Sequence, residues 1–412
     1  MRSPGTILIL LYLIVALWTL TAVAASLATF LYYRNARRLR KPPNQPQAVV
    51  LAPVKGASPT LDQFTAALLA QDYQQYRVIF IVESTSDPAY WPLADAAGLS
   101  GGRARLIVAG ESSDCGQKAH NLAAALRSLR EDDEIVVFAD GDFVPPVDWL
   151  TQLTRPIVRG RAEISTGYVI MVPRSPRPAN ILASLISLGI ATIFSPPGAR
   201  LCSGASTAIR RSTLERLKPE RFLARTLSDD LALSRVARQH GIGIHMNLAA
   251  RGPTPTEHSW RSLFAYIKRQ YQIVRMYAPL HWAMAAWALL ISPVGIVAAI
   301  LLAFSGQIAG FAALILAAGL QQVRFVLRER ALKRILDPDV TEQLAPVFRH
   351  SPLFGPFVQL FHLAAFLASA ASQTIHWAGV TYRVDGPEQM SVLSRDGKPV
   401  RRSSSQADAV RR

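Results

Sequence analysis

Three stretches without a charged residue set the first constraint on this chain: Ser3 to Tyr33, Met276 to Val323 and Ser351 to Tyr382. A bilayer core takes about 20 apolar residues per helical span and leaves no room for unpaired backbone. The first stretch is long enough for one span. It carries no small-residue cleavage site in a convincing position, so it reads as an anchor. The second is long enough for two spans, with Ser305-Gly306-Gln307 as the turn between them. The third supplies one more. The expectation is one amino-terminal span, a soluble domain and about three carboxy-terminal spans.

Basic residues flank these stretches. Arg34, Arg37, Arg38, Arg40 and Lys41 follow the first, and Arg324, Arg328, Arg330, Lys333 and Arg334 follow the second. By the positive-inside rule both groups lie on the cytoplasmic side. Four full spans leave Arg395, Lys398, Arg401, Arg402, Arg411 and Arg412 outside, against that rule, so a re-entrant or interfacial carboxy-terminal segment is the alternative. The formal charge is +17, from 45 basic and 28 acidic residues. Its placement beside the spans points to anionic lipid headgroups, not nucleic acid, and no aromatic-interleaved basic reader motif is present. Cys115 and Cys202 have no close spacing, which argues against a disulfide framework or zinc site and fits a reducing cytosol. Residues 179–199 are uncharged, with a polar stripe of Asn180, Ser184 and Ser187, and read as an interfacial or half-buried helix lying against the membrane.

Between the membrane stretches, strands and helices alternate. Ala48 to Ala52, Arg77 to Val82, Arg105 to Val108 and Ile135 to Phe138 are apolar, β-prone runs. Leu61 to Ala70 is an amphipathic helix, and Asp114 to Leu129 reads as a loop running into a helix. This alternation implies a mostly parallel α/β sheet buried on both faces. Parallel sheets bind ligands at the carboxyl ends of their strands. The fourth run delivers Asp140-Gly141-Asp142 to that edge. Two carboxylates at this spacing can share a hard divalent cation, or can form a solvated turn. Neither a Walker loop nor a dinucleotide-binding glycine loop occurs. Ser203-Gly204-Ala205-Ser206-Thr207 suits either close backbone approach to a ligand or tight packing. Ser228-Asp229-Asp230 reads either as a helix cap with acids in the first turn or as a reactive pair. Gln272 and Arg275 share one helical face.

In order, Pro53-Val54-Lys55-Gly56, Glu83 to Pro88, Gly116 to Leu122, Asp140-Gly141-Asp142, Ser228-Asp229-Asp230 and Gln272-Ile273-Val274-Arg275 resemble the motifs of family-2 glycosyltransferases. The resemblance is nearest to ceramide glucosyltransferase and its bacterial relatives, and Trp377 to Arg383 is similar to that group's ending. The motif set departs from the family at Met276, where the family has Trp.

The resemblance implies a GT-A fold and inverting transfer of a sugar from a nucleotide-sugar, UDP-glucose or UDP-N-acetylglucosamine, to a lipid hydroxyl. It implies Mg²⁺ or Mn²⁺ on Asp142, with Asp140 sharing the metal or on the ribose side. It implies Asp230 as general base with Asp229 beside it. Lys55, Glu83, Asp87, Lys118, Asn121, Asp140, Gln272 and Arg275 are then the donor-binding residues. The implied domains are a membrane anchor and basic collar (1–41), a cytoplasmic catalytic domain (42–275), a membrane region (276–385) and a disordered basic tail (386–412). A bacterial inner membrane is the implied location, and nucleic acid is not an implied partner. N-acetylglucosaminyl transfer to a hopanoid polyol is the alternative acceptor chemistry. A nucleotide-sugar-binding membrane protein is the alternative outside enzymes.

Overall fold

The computed structural model describes residues 4–38, 40–42, 44–193, 198 and 200–400. The chain opens with α1 (Pro4–Tyr33), followed by β1 (Ala48–Pro53), α2 (Leu61–Leu69), β2 (Tyr76–Val82), α3 (Tyr90–Leu99), β3 (Ala104–Val108), α4 (Gln117–Leu126) and β4 (Ile135–Phe138). Next come α5 (Trp149–Val158), β5 (Ile164–Pro173), α6 (Pro178–Ile193), β6 (Thr207–Arg210), α7 (Arg211–Arg216), α8 (Pro219–Phe222), α9 (Asp229–Gln239) and β7 (Ile244–Thr256). The helices α10 (Trp260–Tyr277), α11 (Pro279–Phe304), α12 (Ile308–Ile335), α13 (Pro338–Gln343) and α14 (Ala345–Ala370) lead to β8 (Thr374–Trp377), β9 (Val380–Gly386), β10 (Gln389–Arg395) and β11 (Lys398–Pro399).

The seven strands β1–β7 form one sheet in the order β3-β2-β1-β4-β6-β5-β7. The four strands expected from the apolar runs pair in parallel. β6 then runs antiparallel between β4 and β5, which makes the sheet mixed. Uninterrupted apolar runs form these strands because both faces are covered. Val49, Leu51, Val136 and Phe138 face one core, with Leu122 of α4 and Leu231 of α9. Val50, Val137 and Ile135 face the other, with Phe64 and Leu68 of α2 and Trp149 of α5. Each such buried side chain contributes roughly 1.5–3 kcal/mol relative to exposure.

Helices α1, α11 and α12 are long and apolar enough to cross a membrane, and they pack on one another. The turn between α11 and α12 falls at Ser305–Gln307 as expected. Ile9, Leu13, Leu20, Val297, Phe311 and Ile315 point outward with no protein cover. The third charge-free stretch forms the second half of α14, whose apolar part among the described residues is Phe357–Ala370, and the chain then passes into β8. Residues after 372 contain Thr, His and Tyr in alternation and pair as strands β8 and β9. The apolar stretch at 179–199 forms α6 as far as Ile193. This helix packs on β5 and α14.

Two domain expectations are corrected. Residues 386–400 are not a disordered tail: β10 and β11 extend the antiparallel sheet β8-β9-β10-β11. Residues 401–412 lie outside the described residues. The expected boundary at 275 does not end the packed unit either, because Ile375, Tyr382, Val384, Met390 and Val392 pack into the same core as α4 and α9.

One polar pair sits inside this frame. Arg77 of β2 donates through Nε to Asp133 Oδ1 at 2.9 Å, and the Asp133 carboxylate also accepts from Arg130 N–H at 2.7 Å. Both side chains are buried. Removing one partner leaves a buried charge uncompensated. Asp133→Ala should therefore destabilise the protein by about 3–5 kcal/mol. Thermal unfolding of the detergent-solubilised protein checks this, and an unchanged midpoint would contradict it.

Candidate active site

The carboxyl edge of the sheet gathers acids from two elements around one lysine. β4 ends at Phe138, and the chain turns through Asp140-Gly141-Asp142. α4 supplies Lys118 from its first turn, and α9 opens with Asp229 and Asp230. Lys118 Nζ lies 2.6 Å from Asp140 Oδ1 and 3.1 Å from Asp229 Oδ1. Gly204 N–H donates to Asp230 Oδ2 at 2.9 Å. A Cβ at Gly204 would stand 2.4 Å from Lys118 Nζ and 3.3 Å from Asp230 Oδ2. The small-residue run thus leaves room for the protein's own ammonium beside the acids.

Burial alone would lower the Lys118 pKa, but Asp140, Asp229 and Asp230 outweigh it and hold the ammonium well above its usual range. Burial pushes the Asp229 carboxyl up to about 6 against the opposing pull of Lys118, with Asp230 and Asp140 adding to the rise. Surrounding protein and the Asp140 charge push Asp142 up to about 6, opposed by Lys118 and Arg269. Asp142 is exposed at the strand edge. Asp230 is half-buried. Its Oδ1 accepts from Leu231 N–H at 2.8 Å and from the Ser228 hydroxyl. Ser228 precedes α9 but makes no side-chain cap, because its hydroxyl serves Asp230.

The remaining donor-side candidates form a second network at the ends of β1 and β2. Lys55 Nζ lies 2.8 Å from Glu83 Oε2. Asp87 Oδ1 accepts from Gly56 N–H at 2.9 Å and Ala89 N–H at 2.8 Å, which fixes the Lys55-Gly56 turn. Asn121 is buried and accepts from Gln117 Nε2 at 2.8 Å, so it braces the loop before α4 and stands outside the acid cluster. Gln272 and Arg275 also stand outside it. Gln272 Nε2 donates to the Ser372 and Thr374 carbonyls, and Arg275 to those of Ala370 and Ser372. Their donors hold the exit of α14. Met276 packs partly buried against the core.

Other residues enter the site unannounced by the motifs. Tyr266 and Arg269 of α10 lie in the field of Asp142. The Arg269 guanidinium sits 5.3 Å from the ring centroids of both Tyr266 and Trp377, and its Nε is buried with no acceptor among the described residues. Arg395 of β10 reaches Glu83 Oε1 at 3.0 Å, the Ser112 carbonyl at 2.6 Å and Gln117 Oε1 at 2.7 Å. Arg269 is three residues from Gln272 and was within reach of a helical-face reading. Arg395 is 312 residues from Glu83, and no local pattern joins them.

Residues 12–390 match the family described as glycosyl transferase family 21. The chain belongs to that family. It is a glycosyltransferase, and its seven-stranded mixed sheet is of the GT-A kind. No curated protein matches the sequence. Solved structures similar to this transferase include a mannosyltransferase from Pyrobaculum calidifontis in complex with GDP-Man and Mn²⁺. It is 19% identical, with 87% of this chain and 98% of that chain covered and a TM-score of 0.47. Another is glucosyl-3-phosphoglycerate synthase from Mycobacterium tuberculosis in complex with phosphoglyceric acid, at 14% identity, 57% and 85% coverage and a TM-score of 0.38.

Asp140 and Asp142 fit a divalent cation. Their oxygens are hard donors, and a cation relieves the repulsion that raises Asp142. Among the described residues no three His, Cys, Asp or Glu side chains converge on one point. Phosphate oxygens of a donor complete such a shell, the usual arrangement for Mg²⁺.

The Lys118 ammonium opposes the rise of the Asp229 carboxyl. Replacing it by Met removes that opposing charge, so the Asp229 pKa should rise further. The acid limb of the pH–rate profile should move in the alkaline direction. An unmoved limb with normal turnover would remove Lys118 from the site.

Proposed function

We propose that this transferase moves a sugar from a nucleotide-sugar, a UDP-sugar, to the hydroxyl of a membrane lipid with inversion, in the manner of ceramide glucosyltransferase. The observation that carries this reading is the position of α10. Its Tyr266 and Arg269 lie in the field of Asp142, and one residue after its end the chain enters α11, which is long enough to span a bilayer. A lipid can then offer its hydroxyl at headgroup level while its tail stays among the helices.

The roles follow from reach. Asp229 is buried and tied to Lys118, whereas Asp230 keeps an open side and is oriented by three donors. Asp230 therefore takes the acceptor proton as the hydroxyl attacks. Lys118 and Arg269 supply positive charge beside the departing diphosphate. Asp140 and Asp142 would hold the divalent cation, Mg²⁺ or Mn²⁺, which when bound would supply Lewis-acid stabilisation there. Lys55, Glu83 and Asp87 form the nucleoside side. Gln272 and Arg275 act one step back, by fixing α14 and β8. The basic residues after α1 and in α12 favour a cytoplasmic face for the catalytic region, as in a bacterial inner membrane.

Asp230→Asn should lower turnover by roughly 10²–10⁴ with donor affinity little changed. Donor titration and single-turnover rates measure the two separately. Normal turnover in that variant would move the base elsewhere. Asp142→Asn and excess chelator should each abolish transfer, with Mg²⁺ or Mn²⁺ restoring the chelated enzyme. Mass spectrometry of lipids from cells with and without the gene identifies the acceptor. A product on ceramide supports the reading, and one on a hopanoid polyol or a soluble acceptor replaces it.

A further inference from the structure

A second concavity, separate from the acid cluster, opens between the membrane helices and the catalytic region. Its volume is about 1500 Å³. Met246 of β7 lies in its wall. Met246 is level with Thr166, Thr207 and Phe138 across the sheet, three strand spacings from the end of β4. That places it about 14 Å from the strand that carries Asp140.

Its lining divides by chemistry. One wall is apolar and comes from helices long enough to span a bilayer: Ala24, Ala28 and Leu31 of α1, and Met284, Ala288 and Leu289 of α11. The other surfaces carry seven arginines. Arg34 and Arg37 follow α1, Arg155, Arg161 and Arg200 rim the catalytic side, and Arg324 and Arg328 belong to α12. No Asp or Glu lines the cavity, and none of the seven makes an ion pair among the described residues. Like charges crowd there instead. Arg155 lies in the field of Arg37 and Arg161, and His245 in that of Arg200 and Arg161.

A juxtamembrane collar accounts for arginines that face the surrounding solvent and lipid. It does not account for the α12 pair. Arg324 Nη1 reaches between helices to Ser26 Oγ at 2.8 Å and the Ala22 carbonyl at 3.2 Å. Ser26 stands about 10 Å down the α1 axis from Tyr33, level with apolar residues. Its partners there are neutral. Arg328 Nε and Arg200 Nε are buried with no acceptor among the described residues. Cations held at that depth without an anion are expensive and mark a binding site.

We propose that this cavity binds an anionic membrane lipid, with its phosphate headgroup among the arginines and its acyl chains against α1 and α11. The bound phosphodiester supplies the missing negative charge and accepts the unused guanidinium donors, and the chains cover the apolar wall. Binding needs neither the sugar donor nor transfer, so it stands apart from the catalytic reading.

The test uses the full-length protein in nanodiscs and native mass spectrometry after release into neutral detergent. The probes are dioleoyl phosphatidylglycerol and dioleoyl phosphatidylcholine at equal mole fraction. The expected result is one retained phosphatidylglycerol and no retained phosphatidylcholine. Arg324→Gln/Arg328→Gln and, separately, the rim variant Arg155→Gln/Arg161→Gln should each weaken retention roughly 30-fold, from about one arginine's contribution taken twice. The rim variant decides if the α12 variant fails to fold. Equal retention of both lipids overturns the proposal, as does phosphatidylglycerol retention unchanged in the rim variant. Displacement by millimolar inorganic phosphate also overturns it, in favour of a soluble anion. A second copy of the chain in place of the lipid overturns it in favour of a dimer.

Discussion

The Lys118 ammonium is the contact on which the rest of the site depends. Asp140, Asp229 and Asp230 approach one another because a cation stands among them. Without it, buried like charges would repel or take up protons, and the loop after β4 and the start of α9 would part. Several features serve this placement. Gly204 has no side chain where the ammonium sits, and Gly116 lets α4 begin against Leu227, whose carbonyl a Cβ would meet at 2.7 Å. The sheet sets the strand end, and the helices bring the charges to it.

The membrane part obeys a parity constraint. The carboxyl end of α1 and that of α12 both lie by the catalytic region, where Arg38 Nε donates to the Ile335 carbonyl at 3.0 Å. α11 leaves from that side and α12 returns to it. α14 begins and ends there too, since β8 packs on the catalytic core. If α1, α11 and α12 each cross, the basic residues near β10 and β11 lie on the same side as the collar after α1. A fourth crossing would separate them. The charge distribution agrees with three on this physical ground.

Much of the fold was legible because its signals are local. Apolar runs such as Val49–Leu51 and Val136–Phe138 have few alternatives to buried strands, and the turn at Gly306 was visible in the sequence. The acid cluster was legible as residue types at a strand edge, but its convergence on Lys118 joins residues from three separate segments and was not. What could not be read depends on distant pairing. Ser372 to Tyr382 looked like the end of a membrane span because it lacks charge, yet this segment pairs as strands β8 and β9. The roles of Gln272 and Arg275 depended on carbonyls about a hundred residues away. Arg269 was hidden by similarity to its basic neighbours, and only the position of Asp142 sets it apart.

The Glu83–Arg395 contact also orders events in time. Glu83 leaves the ribosome 312 residues ahead of its partner. At about 5–20 residues per second, roughly 15–60 s separate the two. During that interval α1 is already available for insertion, and β1, β2 and α4 can assemble, but the loops around Glu83 and Gln117 lack their clasp. The Glu83 end of the site is therefore finished only when the last strands arrive. A nascent chain stalled before β10 would hold its carboxylates in an open, poorly ordered cleft and would not yet turn over sugar donors.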